Sequence, residues 1–211
     1  TNHLTAGLQR PGSTDFAESR LYALRGYAAQ KLGRPDQAME DFQTALAMDV
    51  ATVEAWSGMA CMMAEQNRFN DALVYFLEAC EHLPDNPSLR YNLGNVYLTL
   101  RDPKSAEAEL ARAVALNPEF YRAWVNLGVS QASRGDHAEA ITSLTQAAAI
   151  HPRSRRVQTN LGLTLARLKR WPEAAAAIRR AIDLEPDRGR SYLVLSMIER
   201  CQGNHAAALQ A

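Results

Sequence analysis

The chain has 211 residues, 47% of them hydrophobic, 7% aromatic and 22% charged, a composition that excludes a collagen-like, low-complexity or wholly disordered polymer. Lys+Arg and Asp+Glu each number 23, so no net field draws the molecule to nucleic acid or to an anionic membrane, and no run nears the roughly 20 apolar residues that cross a bilayer. The balance is uneven along the chain: residues 1–120 hold 10 basic and 16 acidic side chains, a net −6, and residues 121–211 hold 13 and 7, a net +6.

Residues 1–18 read as an irregular start or a relic half-repeat, because Leu4 and Leu8 are spaced as on one helix face before Pro11-Gly12-Ser13 breaks the segment. The opening residues carry no basic cluster followed by a hydrophobic stretch, so neither export nor membrane anchoring is expected. Three cysteines, Cys61, Cys80 and Cys201, stand at unrelated spacings. They read as reduced structural thiols and place the chain in a reducing, cytoplasmic setting.

From residue 19 one period governs the chain. Pro84, Pro118, Pro152 and Pro186 are each 34 residues apart, as are Ala72, Ala106, Ala140, Ala174 and Ala208. Leu93, Leu127, Leu161 and Leu195 keep the same interval, and so do Gly94, Gly128 and Gly162. Each period reads as two helices: an apolar stripe such as Trp124, Leu127, Gln131, a polar turn such as Arg134-Gly135-Asp136, then a second stripe, Ala140, Leu144, Ala147. Proline two or three residues beyond the second stripe lacks an N–H and restrains its predecessor, which separates one period from the next. Gly128 and Ala140 are small enough for the two helices of one period to approach closely, with Trp124 and Leu144 filling the neighbouring holes.

The pattern resembles the tetratricopeptide repeat, with aromatic–x2–Leu–Gly in a first helix, Ala–x3–Phe in a second, then Pro. The resemblance covers residues 19–52, 53–86, 87–120, 121–154 and 155–188, and a partial sixth unit at 189–211 that stops inside its second helix. Unit 19–52 departs most, with Arg25 at the leucine position and Val50 in place of proline. The resemblance implies an all-α, right-handed superhelix, an α-solenoid of helix-turn-helix repeats, whose concave wall comes from first helices and binds an extended peptide or protein segment.

At the sixth position of each repeat stand Leu24, Gly58, Asn92, Asn126, Asn160 and Val194. Three successive asparagines offer amides that can pair with both the C=O and the N–H of an extended peptide whatever its sequence. They are similar to the asparagines of O-linked N-acetylglucosamine transferase repeat domains. The competing reading is that they are common repeat residues making local bonds or facing water. At the second position stand Arg122, Arg156 and Arg190, whose guanidinium forks suit carboxylate or phosphate and imply an acidic partner, unless they bridge to neighbouring acids. The carboxylate clamp of chaperone-binding relatives is matched only in part: Asn95, Asn126 and Arg156 fit, but Tyr91 and Asn160 stand where cations belong. Tyr91 instead suggests an aromatic floor, and Tyr27, Cys61, Val129 and Leu163 at ninth positions add apolar surface to the wall or pack within the scaffold.

No nucleophile, base or metal set converges in the sequence, so neither catalysis nor a cofactor is expected of this chain. His137 falls at an interhelical turn and is expected to be exposed. The function read from these residues is a protein-interaction scaffold. The alternatives are the substrate-docking part of a larger enzyme such as a glycosyltransferase, with catalysis encoded elsewhere, and a scaffold that self-associates through its terminal repeats.

Overall fold

The computed structural model describes residues 14–186 and 189–203, and every element among them is an α-helix. In chain order these are α1 (Thr14–Lys31), α2 (Pro35–Met48), α3 (Val53–Glu65), α4 (Phe69–His82), α5 (Pro87–Thr99), α6 (Pro103–Leu116), α7 (Tyr121–Arg134), α8 (His137–Ile150), α9 (Arg155–Arg167), α10 (Trp171–Leu184) and α11 (Gly189–Cys201). Helix α1 takes in residues 14–18, which the 34-residue register assigns to the irregular start. The second helix expected of the sixth repeat lies outside the described residues.

The chain divides inside α5 into two compact units, one ending at Val96 and the other starting at Tyr97. In the first unit α1 packs on α2, α2 on α3 and α3 on α4, and α1 also touches α3. In the second, α6 through α11 pack each on the next, with α7 against α9 and α9 against α11. First helices therefore lie beside first helices within each unit, which brings equivalent positions of neighbouring repeats side by side.

The turn between the two helices of a repeat uses one backbone device throughout. Gly33, Asn67, Arg101, Gly135, Lys169 and Gly203, all at the fifteenth position, have positive φ. At Gly135, φ is 94° and the N–H groups of Gly135 and Asp136 return to carbonyls of the last turn of α7, the usual left-handed helix stop. Between repeats, proline is not the only stop. Asp49 Oδ1 accepts from the Ala51 N–H at 2.9 Å and Asn117 Oδ1 from the Glu119 N–H at 3.1 Å. This side-chain turn lets α2 end at Met48 although Val50 stands where proline is expected.

The fourth position also joins the repeats. Trp56 Nε1 donates to the Val50 carbonyl (2.7 Å), Arg90 Nε to Pro84 (2.9 Å), Trp124 Nε1 to Pro118 (2.8 Å) and Gln158 Nε2 to Pro152 (3.4 Å). In each case the acceptor lies six residues back, at the carbonyl that follows the second helix. Trp124 thus ties the joint as well as filling a hole.

Close helix packing rests on small residues. A Cβ on Gly128 would meet Leu144 Cγ at 2.7 Å and the Ala140 carbonyl at 3.1 Å, and one on Gly162 would meet Ile178 at 2.7 Å. In the first unit the fully buried Phe42 ring lies between two glycines, 2.7 Å from a Cβ built on Gly26 and 2.3 Å from one on Gly58. Tyr27 closes a further side with its ring edge-on at 5.2 Å. Arg25, at the expected leucine position, instead reaches the buried Asp41 through Nε (2.9 Å) and Nη2 (2.5 Å). A fork-to-carboxylate pair there takes the place of an apolar contact.

Candidate functional site

Each unit carries a cleft on its first-helix face. In the first unit a cleft of about 520 Å³ is lined by Arg20, Tyr27, Glu54, Ser57, Cys61 and Asn92, among others. The ninth-position residues Tyr27 and Cys61 thus stand on the same wall as the sixth-position Asn92. The Tyr27 hydroxyl lies 2.6 Å from Ser57 Oγ and donates to the Glu54 carbonyl at 2.9 Å. Burial raises its pKa, against the lowering effect of the Ser57 hydrogen bond. Burial likewise pushes the Cys61 thiol up, which keeps it protonated and poorly nucleophilic. All three cysteines are free thiols, and Cys201 is exposed, so the structural role expected of it does not hold.

In the second unit one cleft of about 320 Å³ is lined by Val129, Ser133, His137, Asn160, Leu163 and Arg167, among others. A neighbouring cleft of about 300 Å³ shares Leu163 and Arg167 and continues along Trp171, Val194, Met197 and Ile198. His137 is only half-exposed, and its Nδ1 is buried with no hydrogen-bond partner. The turn position placed it correctly along the chain but not in space, because α8 begins at His137 and its ring turns to the cleft.

The predicted site residues fare differently. Asn126 is buried, 5% exposed, and its Oδ1 accepts from Arg156 Nη2 at 2.5 Å. The structure therefore joins two members of the expected set, one from each of two adjacent repeats. The Asn92 and Asn160 amides are half-exposed and make no side-chain hydrogen bond among the described residues. Tyr91 and Asn95 are half-buried on α5. Arg122 is exposed, donates from Nε to the Tyr121 hydroxyl at 3.3 Å and lies 5.9 Å from that ring's centre. Arg190 is exposed with no partner among the described residues. Arg20, the first-repeat member of the arginine row, is paired with Glu54 at 2.8 Å.

Much of the second-position cation row is thus engaged within the protein. The cation that stands over the clefts is Arg167, at the thirteenth position, which the repeat pattern does not mark as a binding position. No acidic residue lines either cleft of the second unit. Among the described residues no three His, Cys, Asp or Glu side chains stand together as a metal site, and no helix is long and apolar enough to cross a membrane.

Sequence profiles of the tetratricopeptide repeat match residues 24–87, 91–155 and 131–198. Tetratricopeptide repeat protein 8 of Caenorhabditis elegans is 30% identical over 107 residues, which is 49% of this chain and 21% of that protein. The protein O-mannosyl-transferase TMTC3 of Mus musculus is 29% identical over 79 residues, 37% of this chain and 9% of that protein. The Hsp70-Hsp90 organizing protein of Triticum aestivum is 32% identical over 94 residues, 44% of this chain and 16% of that protein. The chain therefore spans about a fifth of the length of the first of these curated relatives and less of the other two. Among solved structures, YrrB, described as a TPR protein with an unusual peptide-binding site, superposes with a TM-score of 0.73 at 25% identity, covering 81% of this chain and 88% of that one. The type IV pilus biogenesis factor PilW superposes with a TM-score of 0.78 at 21% identity, covering 91% and 89%. With profile matches over most of its length and helical hairpins in the same register, the chain belongs to the tetratricopeptide repeat family.

Proposed function

We propose that this chain is a protein-interaction scaffold that holds extended segments of a partner against the first-helix faces of its repeats. The observation that carries the reading is the cleft of the second unit, where the Asn160 amide, without a side-chain partner among the described residues, stands beside the apolar Val129 and Leu163. An amide with open donors and acceptor can grip a peptide backbone, while the aliphatic neighbours take its side chains. Asn92 beside Tyr27 and Cys61 offers the same combination in the first unit. The likeness to YrrB, a protein with a peptide-binding site, supports the same reading.

Selection of binders from a displayed random-peptide library, followed by titration of the selected peptides against Asn92→Ala and Asn160→Ala variants, tests it. The variants should bind more weakly at an unchanged melting temperature. Equal affinity would remove the asparagines from the site.

Two further readings each have an observation behind them. The likeness to an O-mannosyl-transferase favours a substrate-docking region of a longer enzyme, which the full reading frame would reveal. Leu21, at a third position buried in every later repeat, is 65% exposed, which with the −6 and +6 halves of the sequence favours stacking onto a second copy. Sedimentation at two salt concentrations would detect that association, and monomers at every protein concentration would exclude it.

A further inference from the structure

We infer that the second unit selects a carboxylate next to an aliphatic side chain, and that Arg167 is the residue that reads the carboxylate. This deepens the scaffold reading and rests on it. Arg167 ends α9 and lines both clefts of that unit. Its side chain is exposed and makes no hydrogen bond or ion pair among the described residues. That sets it apart from Arg156, bound to Asn126, and from Arg134, held by Glu107.

What surrounds Arg167 is apolar. Leu163, one turn earlier on α9, is 39% exposed and belongs to both clefts, and Met197 on α11 is 66% exposed in the second. A guanidinium with open donors, set between two aliphatic recesses with no acid on either lining, complements a Glu or Asp flanked by Leu, Ile or Met. An aliphatic peptide side chain seated on Leu163 and Met197 would cover the ion pair from water and strengthen it beyond a fully solvated one. Asn160, on the opposite side of Leu163 from Met197 in chain order, supplies the backbone contact of the proposed scaffold function.

Roles divide accordingly. Asn160 provides sequence-independent affinity, Leu163 and Met197 take the aliphatic group, and Arg167 sets the requirement for negative charge. Arg167→Gln keeps an aliphatic stem with a polar end but no charge, and Arg167→Glu reverses the charge. Neither breaks a hydrogen bond or ion pair among the described residues, so circular dichroism should report an intact helical fold.

The test is a selection from a displayed random-peptide library on the unaltered protein and on both Arg167 variants and Asn160→Ala. Peptides from the unaltered protein should be enriched in Asp or Glu adjacent to Leu, Ile or Met. The acidic enrichment should vanish with Arg167→Gln and turn basic with Arg167→Glu, and selected peptides should lose about tenfold in affinity for Arg167→Gln. Peptides that lose binding with Asn160→Ala but select and bind identically with both Arg167 variants would overturn the assignment of Arg167 and leave the scaffold reading standing. Failure to enrich any peptide would overturn both.

Discussion

Replacing Arg101 or Lys169 by glycine should stabilise the protein, although each substitution deletes a long side chain. Both residues sit at the interhelical turn with φ of 61° and 58°, where an L-residue's Cβ crowds the following carbonyl oxygen at about 1–2 kcal/mol. Glycine escapes that crowding, while its freer unfolded chain opposes folding by about 0.5–1 kcal/mol. The difference leaves a gain of about 0.5–1 kcal/mol at each site. Neither side chain has a hydrogen bond or ion pair to lose among the described residues, and both are exposed. The reverse substitution supplies the control. A Cβ on Gly135 would meet nothing within 4 Å, so Gly135→Ala introduces backbone strain alone and should destabilise by about 1 kcal/mol. Urea unfolding followed by far-ultraviolet circular dichroism measures all three, with an unchanged slope showing that the shift is one of stability. Glycine at 101 and 169 lowering the midpoint, or alanine at 135 leaving it unmoved, would refute the left-handed turn as the source of strain.

Gly58→Ala should be destabilising by about 2 kcal/mol despite alanine's better helix propensity, because its Cβ would fall 2.3 Å from the enclosed Phe42 ring and overpacking outweighs a propensity gain of about 1 kcal/mol; adding Phe42→Leu should restore part of the loss, and additive effects would refute the contact. Arg25→Leu brings the first repeat closer to its neighbours in sequence yet should lower the thermal midpoint by stranding the buried Asp41 carboxylate, and Arg25→Leu with Asp41→Ser should recover it; a neutral single variant would argue against the pair. The Asp102 carboxyl, held below the usual range by hydrogen bonds from the Ser105 side chain and then its backbone N–H, contributes stability to the start of α6 that is present above the unfolded pKa of about 3.9 and is lost as pH falls through the lower folded value. A carboxyl-carbon titration by nuclear magnetic resonance with a midpoint at or above 3.9 would contradict that, and Asp102→Asn should remove this part of the acid sensitivity.

The hairpins were legible because they depend on features that recur. Proline, the small residues at Gly128 and Ala140, and the apolar stripes act at fixed distances along one chain, and a single period exposes them all. Extending that period backwards does not give the start of α1, which lies at Thr14 and not at residue 19. Ser13-Thr14-Asp15, directly after Pro11-Gly12, is a helix-start signal in its own right. The site was less legible because its chemistry depends on which side chains find each other across helices. The Arg25–Asp41 pair occurs once and so leaves no periodic trace. Whether an asparagine is open, like Asn160, or already bound, like Asn126, turns on the reach of an arginine in the next repeat. Gly58, in the repeat before the asparagine series, lacks a side chain for a reason the one-dimensional pattern does not contain, since the Phe42 ring occupies the space where one would begin. Arg167 stands at the thirteenth position, to which the resemblance assigns no binding role, so nothing in the repeat pattern marks it.

The donors at the fourth position make chemically unlike residues interchangeable. Trp56, Arg90, Trp124 and Gln158 share neither charge nor ring, yet each delivers one N–H to the same upstream carbonyl. An engineer can therefore vary aromatic content or surface charge here from module to module and keep the coupling between modules, so long as the replacement carries a nitrogen donor of similar reach.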